Sequence, residues 1–394
     1  MKKTDIVILA GGKGTRIKKY LNGYPKPLVK IKNYRFLDLL IKKICRYNIN
    51  NLIILAGYKG NLIKKKYHNK SFNFVKTQVI IEKKPLGTGG ALVQLEDRIK
   101  NDFIVINGDT FFDLDLSKVI RFQLDKNEIF LSLVKNHNYK SNKKLVYLSL
   151  DKNSNVISNN NSKFINGGVY KFNKSFLKTI KKKNCSLEND IIPNLIDQNK
   201  VKGLKFNNFF IDIGTPKNLA TAKRDLINYL MKPALFLDRD NTIIHDSGYV
   251  HQINHLKFKS SFIKILKQIS KKNIYIFIIT NQSGIGRGYF SEKSFEKFQF
   301  HLKKKLSNYN IYIDDVRFCP YHIDSRIKKY KKKSNFRKPG NGMILDLFKN
   351  WPIKRRSSIM IGDQISDKVC AEKSKITFNF ANDVDLKNLN RKFN

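Results

Sequence analysis

This chain is short of cysteine, of acidic residues and of long apolar runs. Its 394 residues include four cysteines, Cys45, Cys185, Cys319 and Cys370. They stand far apart and form no CxxC pair, so no disulfide framework is expected. Cys45 and Cys370 fall in helical patterns and read as buried thiols. No run of 18 apolar residues occurs, which excludes a membrane-spanning helix. The start, MKKTDIVILAGG, has a basic flank and a short apolar stretch. It runs at once into Gly11 and Gly12, so it reads as a strand rather than a signal peptide, and a cytoplasmic setting is expected. Acidic residues number 31 against 77 lysines and arginines, a formal charge of +46. Such an excess raises nucleic acid as a partner. The excess is nearly all lysine, is spread over both halves, and accompanies abundant Asn and Ile, which share A/T-rich codons. The Lys181–Lys183 and Lys328–Lys333 runs read as solvated faces or loops. Nucleic acid is therefore not the expected partner.

Present throughout is an alternation of short β-rich runs with helical patterns, in a chain long enough for two domains. Asp5–Leu9, Leu52–Ala56, Gln78–Ile81 and Phe103–Ile106 read as strands, and Phe36–Ile44 as a helix. The pattern restarts after residue 231. Ala234–Leu237, Ile274–Ile279, Val316–Phe318 and Ile359–Ile361 read as strands, with a helix over Ser291–Leu306 capped by Ser291. This implies an α/β chain of two domains, residues 1–230 and 231–394, each a mainly parallel sheet flanked by helices. No internal repeat is apparent. The polar, Asn-rich segment Asn153–Ser162 reads as a mobile loop.

The first candidate site follows the first strand directly. Gly11, Gly12 and Gly14 let backbone N–H groups approach phosphate oxygens. Arg16 and Lys26 can neutralise a triphosphate, and Pro25 and Pro27 stiffen the segment that carries Lys26. The spacing matches neither the P-loop nor the dinucleotide fingerprint.

Residues 4–225 resemble the sugar-phosphate nucleotidylyltransferases. The carrying stretches are LAGGKGTR (9–16), PKP (25–27), EKKPLGTGGA (82–91), NGDTFFDLD (107–115), INGGVY (165–170), SLENDIIP (186–193) and FIDIGTP (210–216). Within that family the chain looks most like D-glycero-α-D-manno-heptose 1-phosphate guanylyltransferases. The resemblance implies a Rossmann-like domain in which a sugar 1-phosphate attacks the α-phosphorus of an NTP, with GTP the expected one, and pyrophosphate leaves. It places Gly11, Gly12, Gly14 and Thr15 on the nucleotide, with Arg16 and Lys26 catalytic. Gly87, Thr88 and Gly89 would line the base and ribose, and Asn166, Gly167, Gly168 and Glu188 would hold the sugar. Asp109 and Asp212 would hold Mg2+; the alternative for both is capping of a turn after a strand. Family members usually carry a Glu-Lys pair just before the INGG motif. Here the stretch is Ser158–Lys163, and Lys163 is the expected substitute.

The second candidate site begins at Asp238 and Asp240, two apart at the end of an apolar strand. Their side chains share a face only if the strand continues. One carboxylate can attack phosphorus to form an aspartyl phosphate; the other can protonate the leaving oxygen and then activate water. Asp238 is the expected nucleophile. Asp363 ends a later strand and could complete a Mg2+ site with Asp238 and Asp240, with Asp367 in support. Thr280 and Asn281 end another strand, and Arg337 and Lys338 supply positive charge for phosphate. Residues 234–376 resemble the haloacid dehalogenase superfamily, most closely D-glycero-D-manno-heptose 1,7-bisphosphate phosphatases, with histidinol-phosphatases close behind. The carrying stretches are FLDRDNTI (236–243), GYV (248–250), TNQSGIGRGYF (280–290), FCPYH (318–322), RKPGNGM (337–343) and IGDQISD (361–367). Relatives often bind zinc through C-x-H and C-x-C. Here Tyr321, Ser334 and Phe336 stand at three of those positions beside Cys319, so zinc is not expected. Gln364 replaces a basic residue common in the family.

Together the two halves imply a bifunctional enzyme of sugar-nucleotide synthesis: a heptose 1,7-bisphosphate 7-phosphatase joined to a heptose 1-phosphate nucleotidylyltransferase, acting on small molecules and using Mg2+ in both domains. The alternatives are the same pair of reactions on another sugar phosphate, a nucleic-acid 3′-phosphatase, and a regulatory protein with one inactive domain. The sequence leaves the oligomeric state open.

Overall fold

A computed structural model of the protein describes residues 4–136, 146–180 and 184–393. The Lys181–Lys183 run lies outside the described residues. Contacts divide the chain into two compact units, one reaching to Leu226 and one from Ile227 onward that also takes in Cys45–Asn48.

The N-terminal unit is built on the strand Asp5–Ala10. It pairs in parallel with Asn51–Ala56 on one side and Phe103–Asn107 on the other. Asn51–Ala56 pairs in parallel with Val75–Ile81. Ile6, Val7 and Ile8 are 0% exposed, because a central parallel strand is covered on both faces and needs a near-continuous apolar run. The sheet continues antiparallel through Phe164–Phe172, which pairs with Phe103–Asn107 and with Ile129–Lys135. Its register shifts between Asn166 and Tyr170. Such an irregularity re-aims side chains at a sheet rim, and it falls at the Gly167–Gly168 pair. The Asn-rich segment expected as a loop instead contributes a strand, Val156–Ser158, paired antiparallel with Leu148–Leu150. Burial of Val156, 0% exposed, accounts for the difference. The turn before it is fixed by Asp151, whose Oδ1 accepts N–H bonds from Asn153 and Asn155 at 2.8 Å each.

The C-terminal unit is a five-stranded, wholly parallel sheet. Its order is Asp315–Cys319, Tyr275–Asn281, Ala234–Leu237, Ile359–Gly362, Thr377–Phe380. The last strand was not expected: it lies at an edge, is only half-buried throughout, and so lacks the apolar run that marks its neighbours. The helix Glu292–Ser307 is capped as expected, Ser291 Oγ accepting the Ser294 N–H at 3.1 Å. Phe295, Phe298, Leu302 and Leu306 line its buried face, a spacing that keeps them on one side of the helix.

All four cysteines are buried thiols outside any disulfide. In the 328–333 run the five lysines are exposed and only Tyr330 is buried. Among the described residues no helix is long and apolar enough to cross a membrane.

Candidate active sites

In the N-terminal unit the glycine-rich loop, the Asp109 turn and the Asp212 turn open onto one cleft of about 1210 Å3. Open α/β sheets bind ligands at this position, beyond the carboxyl ends of parallel strands. Gly11, Gly12, Gly14, Thr15, Arg16, Lys26, Gly87, Thr88, Asp109, Asn166, Gly167, Gly168, Glu188 and Asp212 all line it.

Four charged side chains of the cleft, Arg16, Lys26, Asp109 and Asp212, meet in one place. Lys26 is buried and pairs with Asp109. A point one carbon beyond Gly214 Cα lies 2.8 Å from Asp212 Oδ1, 3.5 Å from Lys26 Nζ and 3.6 Å from Arg16 Nη2. Two cations and a carboxylate therefore converge there, beside Asp109. Burial tends to raise the Asp109 carboxyl, but the Lys26 ammonium outweighs it and holds the group below the usual carboxylate range. Asp212 is raised, by burial first and by the negative charge of Asp109, against the Gly214 N–H that it accepts at 2.7 Å. Asn218 Nδ2 donates to its other oxygen at 2.6 Å.

A second group in the cleft is built around Glu188. Glu188 Oε2 accepts from Thr88 Oγ1 at 2.7 Å and Ser186 Oγ at 3.1 Å. Its Oε1 accepts from Tyr170 Oη at 3.2 Å and Asn107 Nδ2 at 3.4 Å. Tyr170 in turn accepts from Asn166 Nδ2 at 3.0 Å. Thr88, assigned to the nucleotide by resemblance, and Glu188, assigned to the sugar, are thus parts of one network. Asn107 and Tyr170 were not singled out from sequence, although both lie inside the NGDTFFDLD and INGGVY stretches. Gly87 has φ +73°, and a Cβ there would collide with the Cys185 carbonyl, so glycine is required for the loop to seat.

Two expected residues lie elsewhere. Gly89 does not line the cleft; its N–H donates to the Cys185 carbonyl at 2.9 Å, and it packs against Ile191. It seats the loop on the 185–191 segment. Lys163 is exposed and lines a separate depression with Lys135 and Lys205. It follows a turn of four polar residues and does not line the cleft.

In the C-terminal unit one ligand atom each of Asp238, Asp363 and Asp367 lie within 4.8 Å of one another. Asp238 ends the strand Ala234–Leu237, Asp363 follows Ile359–Gly362, and Asp367 lies in the first turn of the helix Ile365–Lys373. Gly362 admits Asp367, since a Cβ there would strike its carboxylate. Lys338 Nζ bridges Asp238 at 2.5 Å and Asp367 at 2.6 Å. Burial pushes the Asp238 carboxyl up to about 8, with Lys338 opposing and Asp367 and Asp240 adding to the rise. Burial alone would lower Lys338, but the Asp238 and Asp367 carboxylates raise it above the ordinary lysine value. Asp363 Oδ1 is buried without a hydrogen-bond partner. One lysine for three clustered carboxylates, one of them with an orphaned oxygen, is a donor set suited to a hard cation.

The third carboxylate of this group is Asp367, not Asp240 as expected. The chain leaves its strand at Asp238, so the strand-face condition fails. The Asp240 carboxylate turns to Arg239, whose Nε and Nη2 donate at 2.7 and 3.0 Å, and to Gln282 Nε2 at 2.8 Å. Thr280 Oγ1 reaches the same carboxylate at 3.4 Å. Asn281 acts on Lys338 through the backbone: its Oδ1 accepts the Lys338 N–H and its Nδ2 donates to the Lys338 carbonyl, both at 3.0 Å. Arg337 is lowered by burial and by the nearby Arg287 charge. Arg337 Nη1 and Arg287 Nε are both buried without partners. Gln364, in place of a basic residue, donates to Asp363 Oδ2 at 2.7 Å and caps the helix with Asp367. Beside Cys319, Tyr321 and Phe336 pack against the hydrophobic core.

A glycine-loop cleft with paired carboxylates, and a strand-end aspartate held by lysine among further carboxylates, define an enzyme with two activities, nucleotidyl transfer and phosphate-ester hydrolysis. Residues 5–228 match the nucleotidyl transferase family and residues 233–392 the polynucleotide kinase 3 phosphatase family. The D-glycero-beta-D-manno-heptose-1,7-bisphosphate 7-phosphatase of Rhodopseudomonas palustris is 40% identical over 157 residues, 39% of this chain and 87% of that protein. The D-glycero-alpha-D-manno-heptose 1-phosphate guanylyltransferase of Campylobacter jejuni is 32% identical over 214 residues, 54% of this chain and 95% of that protein. The solved structure of HddC from Yersinia pseudotuberculosis is 31% identical, with 57% of this chain and 99% of that one covered and a TM-score of 0.49. The chain belongs to the nucleotidyl transferase family through its N-terminal half and to the family of the Rhodopseudomonas phosphatase through its C-terminal half.

Proposed function

We propose that the chain performs two consecutive steps on one sugar. The C-terminal unit removes the C7 phosphate of D-glycero-D-manno-heptose 1,7-bisphosphate. The N-terminal unit then transfers GMP from GTP to the heptose 1-phosphate and releases pyrophosphate. One observation carries this reading: a phosphatase cluster around Asp238 and a nucleotidyl transferase cleft around Lys26 and Asp109 occur in one chain. The relatives of the two halves name successive heptose phosphates. The setting proposed is cytoplasmic, and the partners are small molecules.

The names of those relatives differ at C1, beta for the phosphatase and alpha for the guanylyltransferase. Hydrolysis at C7 breaks no bond at C1. If the two steps run in series, the phosphatase of this chain must accept the alpha anomer.

In the phosphatase step an Asp238 carboxylate oxygen bonds to phosphorus and the bond from phosphorus to the C7 oxygen breaks. Asp240 gives its proton to that oxygen. Water then attacks phosphorus, Asp240 takes the water's proton, and Asp238 is released. Lys338 offsets charge on the nucleophile and phosphate, and Asn281 fixes its backbone. Asp238, Asp363 and Asp367 would hold Mg2+, which when bound lets an anionic nucleophile approach an anionic ester. Zinc forms no part of the reading, since Cys319 lacks the other three donors. Arg287 and Arg337, close together with orphaned nitrogens, suit the second phosphate of a bisphosphate substrate.

In the transfer step the sugar 1-phosphate oxygen attacks the α-phosphorus in line. No protein nucleophile is required, so the chain contributes position and charge. The loop N–H groups of residues 11–15, with Arg16 and Lys26, would hold the triphosphate. Asp109 and Asp212 would hold Mg2+ beside them, and Asn166, Gly168 and Glu188 would hold the sugar. Both activities should vanish in EDTA and return when Mg2+ alone is restored. Stoichiometric zinc in the purified protein would overturn the reading of residues 319–336.

The order of the steps is open to a direct test. A C7 phosphate in the sugar end would approach the Glu188 carboxylate and be repelled. Asp238→Asn enzyme given GTP should therefore use heptose 1-phosphate at least about tenfold better than the 1,7-bisphosphate, as one unfavourable charge contact of about 1.4 kcal/mol requires. Equal use of both would reject the order and the placing of Glu188 beside the sugar. The basic charge and the family model of the C-terminal half favour one other reading, a polynucleotide 3′-phosphatase. It requires phosphate release from a 3′-phosphorylated oligonucleotide to exceed that from the sugar bisphosphate, with strong salt dependence.

A further inference from the structure

Arg239 is 0% exposed, and the reaction as written assigns it no part. Its guanidinium lies over the rings of Phe295 and Phe298, 5.6 and 5.0 Å from their centroids. A position among phenylalanines that served packing alone would be filled at less cost by an apolar side chain, because a buried guanidinium must be paired. Its pairing is specific. Nε donates to Asp240 Oδ1 at 2.7 Å and Nη2 to Oδ2 at 3.0 Å, the two-pronged grip that arginine's planar fork makes on a carboxylate. Nη2 is itself held by the Val250 carbonyl at 3.1 Å and by Gln282 Oε1 at 3.3 Å.

The donors divide unequally between the two oxygens. Oδ2 receives Arg239, Gln282 at 2.8 Å and Thr280 at 3.4 Å. Oδ1 receives Nε at 2.7 Å and lies 2.7 Å from Nη2 as well, so among the described residues Arg239 is the one residue that holds it. Each carboxylate oxygen can accept about two hydrogen bonds. Oδ1, held by one residue where Oδ2 is held by three, is therefore the oxygen left open to a proton in transit.

We propose that Arg239 is a positioning residue for the phosphatase reaction: it locks the Asp240 carboxyl so that Oδ1 presents the proton to the leaving sugar oxygen and later receives one from water. The inference rests on Asp240 being the acid–base group. No further reactant enters; the proton lost by Asp240 when the phosphorus–oxygen bond breaks returns from the water that cleaves the aspartyl phosphate.

The test compares two esters in one preparation, so that their ratio is independent of how much enzyme is folded. The heptose bisphosphate expels an alkoxide that needs a proton. p-Nitrophenyl phosphate expels a stable phenolate that does not. Arg239→Met should lower kcat on the sugar ester at least about tenfold more than on the aryl ester, a fraction of the 10²–10⁴ that a positioned acid contributes. KM for the sugar ester should change less than about threefold. Arg239→Lys keeps a cation over the rings but loses the fork. It should show the same preference at about a third of the size or less, and it serves if the Met variant does not accumulate. Asp240→Asn should show the preference in full, and adding Arg239→Met to it should cost nothing more on the sugar ester. Equal losses on both esters in the Arg239 variants, with the preference intact in Asp240→Asn, would overturn the positioning role. No preference in Asp240→Asn would instead overturn the acid–base reading on which it rests.

Discussion

Asp238→Asn should abolish phosphate release, by on the order of a thousandfold or more, the scale seen when a covalent nucleophile is removed. Nucleotidyl transfer should stay within about twofold, since Asp238 lies in the C-terminal unit and the transfer cleft is lined wholly by residues of the other. An amide nitrogen has no lone pair available to bond phosphorus, while its shape matches the carboxylate. The fold should survive the change. Lys338 keeps Asp367 at 2.6 Å, so no buried cation is left alone. The sign of the titration points the same way. Burial raises Asp238 to about 8 in the folded chain, above about 4 in an unfolded one. The fold therefore favours its protonated form, and the stability this group contributes falls as pH rises from about 4 to 8. A neutral asparagine escapes that loss. In EDTA at pH 8 the variant should melt no lower than the parent. Retained phosphate release would reject Asp238 as nucleophile, and a lower melting temperature would show that the fold favours the Asp238 carboxylate over its protonated form.

Lys26→Ala should give the largest loss in the other activity, about a hundredfold or more in kcat/KM for nucleotidyl transfer, with phosphate release unchanged. A charged hydrogen bond is worth about 1.5–3 kcal/mol, or roughly ten- to a hundredfold in rate. Removing Lys26 also leaves Asp109 without this ion pair, which adds uncompensated negative charge where the triphosphate must lie. The cost in stability should be small, because the Asp109 side chain is 38% exposed and water can take over. Arg16→Ala should lose less, about tenfold, since Arg16 is exposed and its charge is shared with water before substrate arrives. The comparison is made in steady-state assays of pyrophosphate release. Losses under threefold in both variants would show that neither side chain touches phosphate.

Much of this protein is legible in its residues. Unbroken apolar runs such as Ile6–Ile8 and Leu235–Leu237 can be satisfied only in strands covered on both faces, and glycine or aspartate directly after them marks where a parallel sheet opens to ligand. The class of fold, the loop at Gly11–Gly14 and the strand-end aspartate at Asp238 follow from that local chemistry. The edge strand Thr377–Phe380 and the strand Val156–Ser158 did not, because neither has a run apolar enough to stand out from its polar neighbours.

Assigning partners needed the tertiary structure. Spacing allowed Asp238 and Asp240 to share a cation, but the chain turns after Asp238. The Asp240 carboxylate goes to Arg239, and Asp367 arrives from a helix more than a hundred residues later. Lys163 and Gly89 sit within motif reach of the cleft along the chain, yet one faces another depression and the other packs against Cys185 and Ile191. The local sequence determined which elements form and what chemistry each can carry, since propensity and burial act over a few residues. Which side chains share a charge was decided only by the packing of distant segments, because that is a matter of distance in space rather than along the chain.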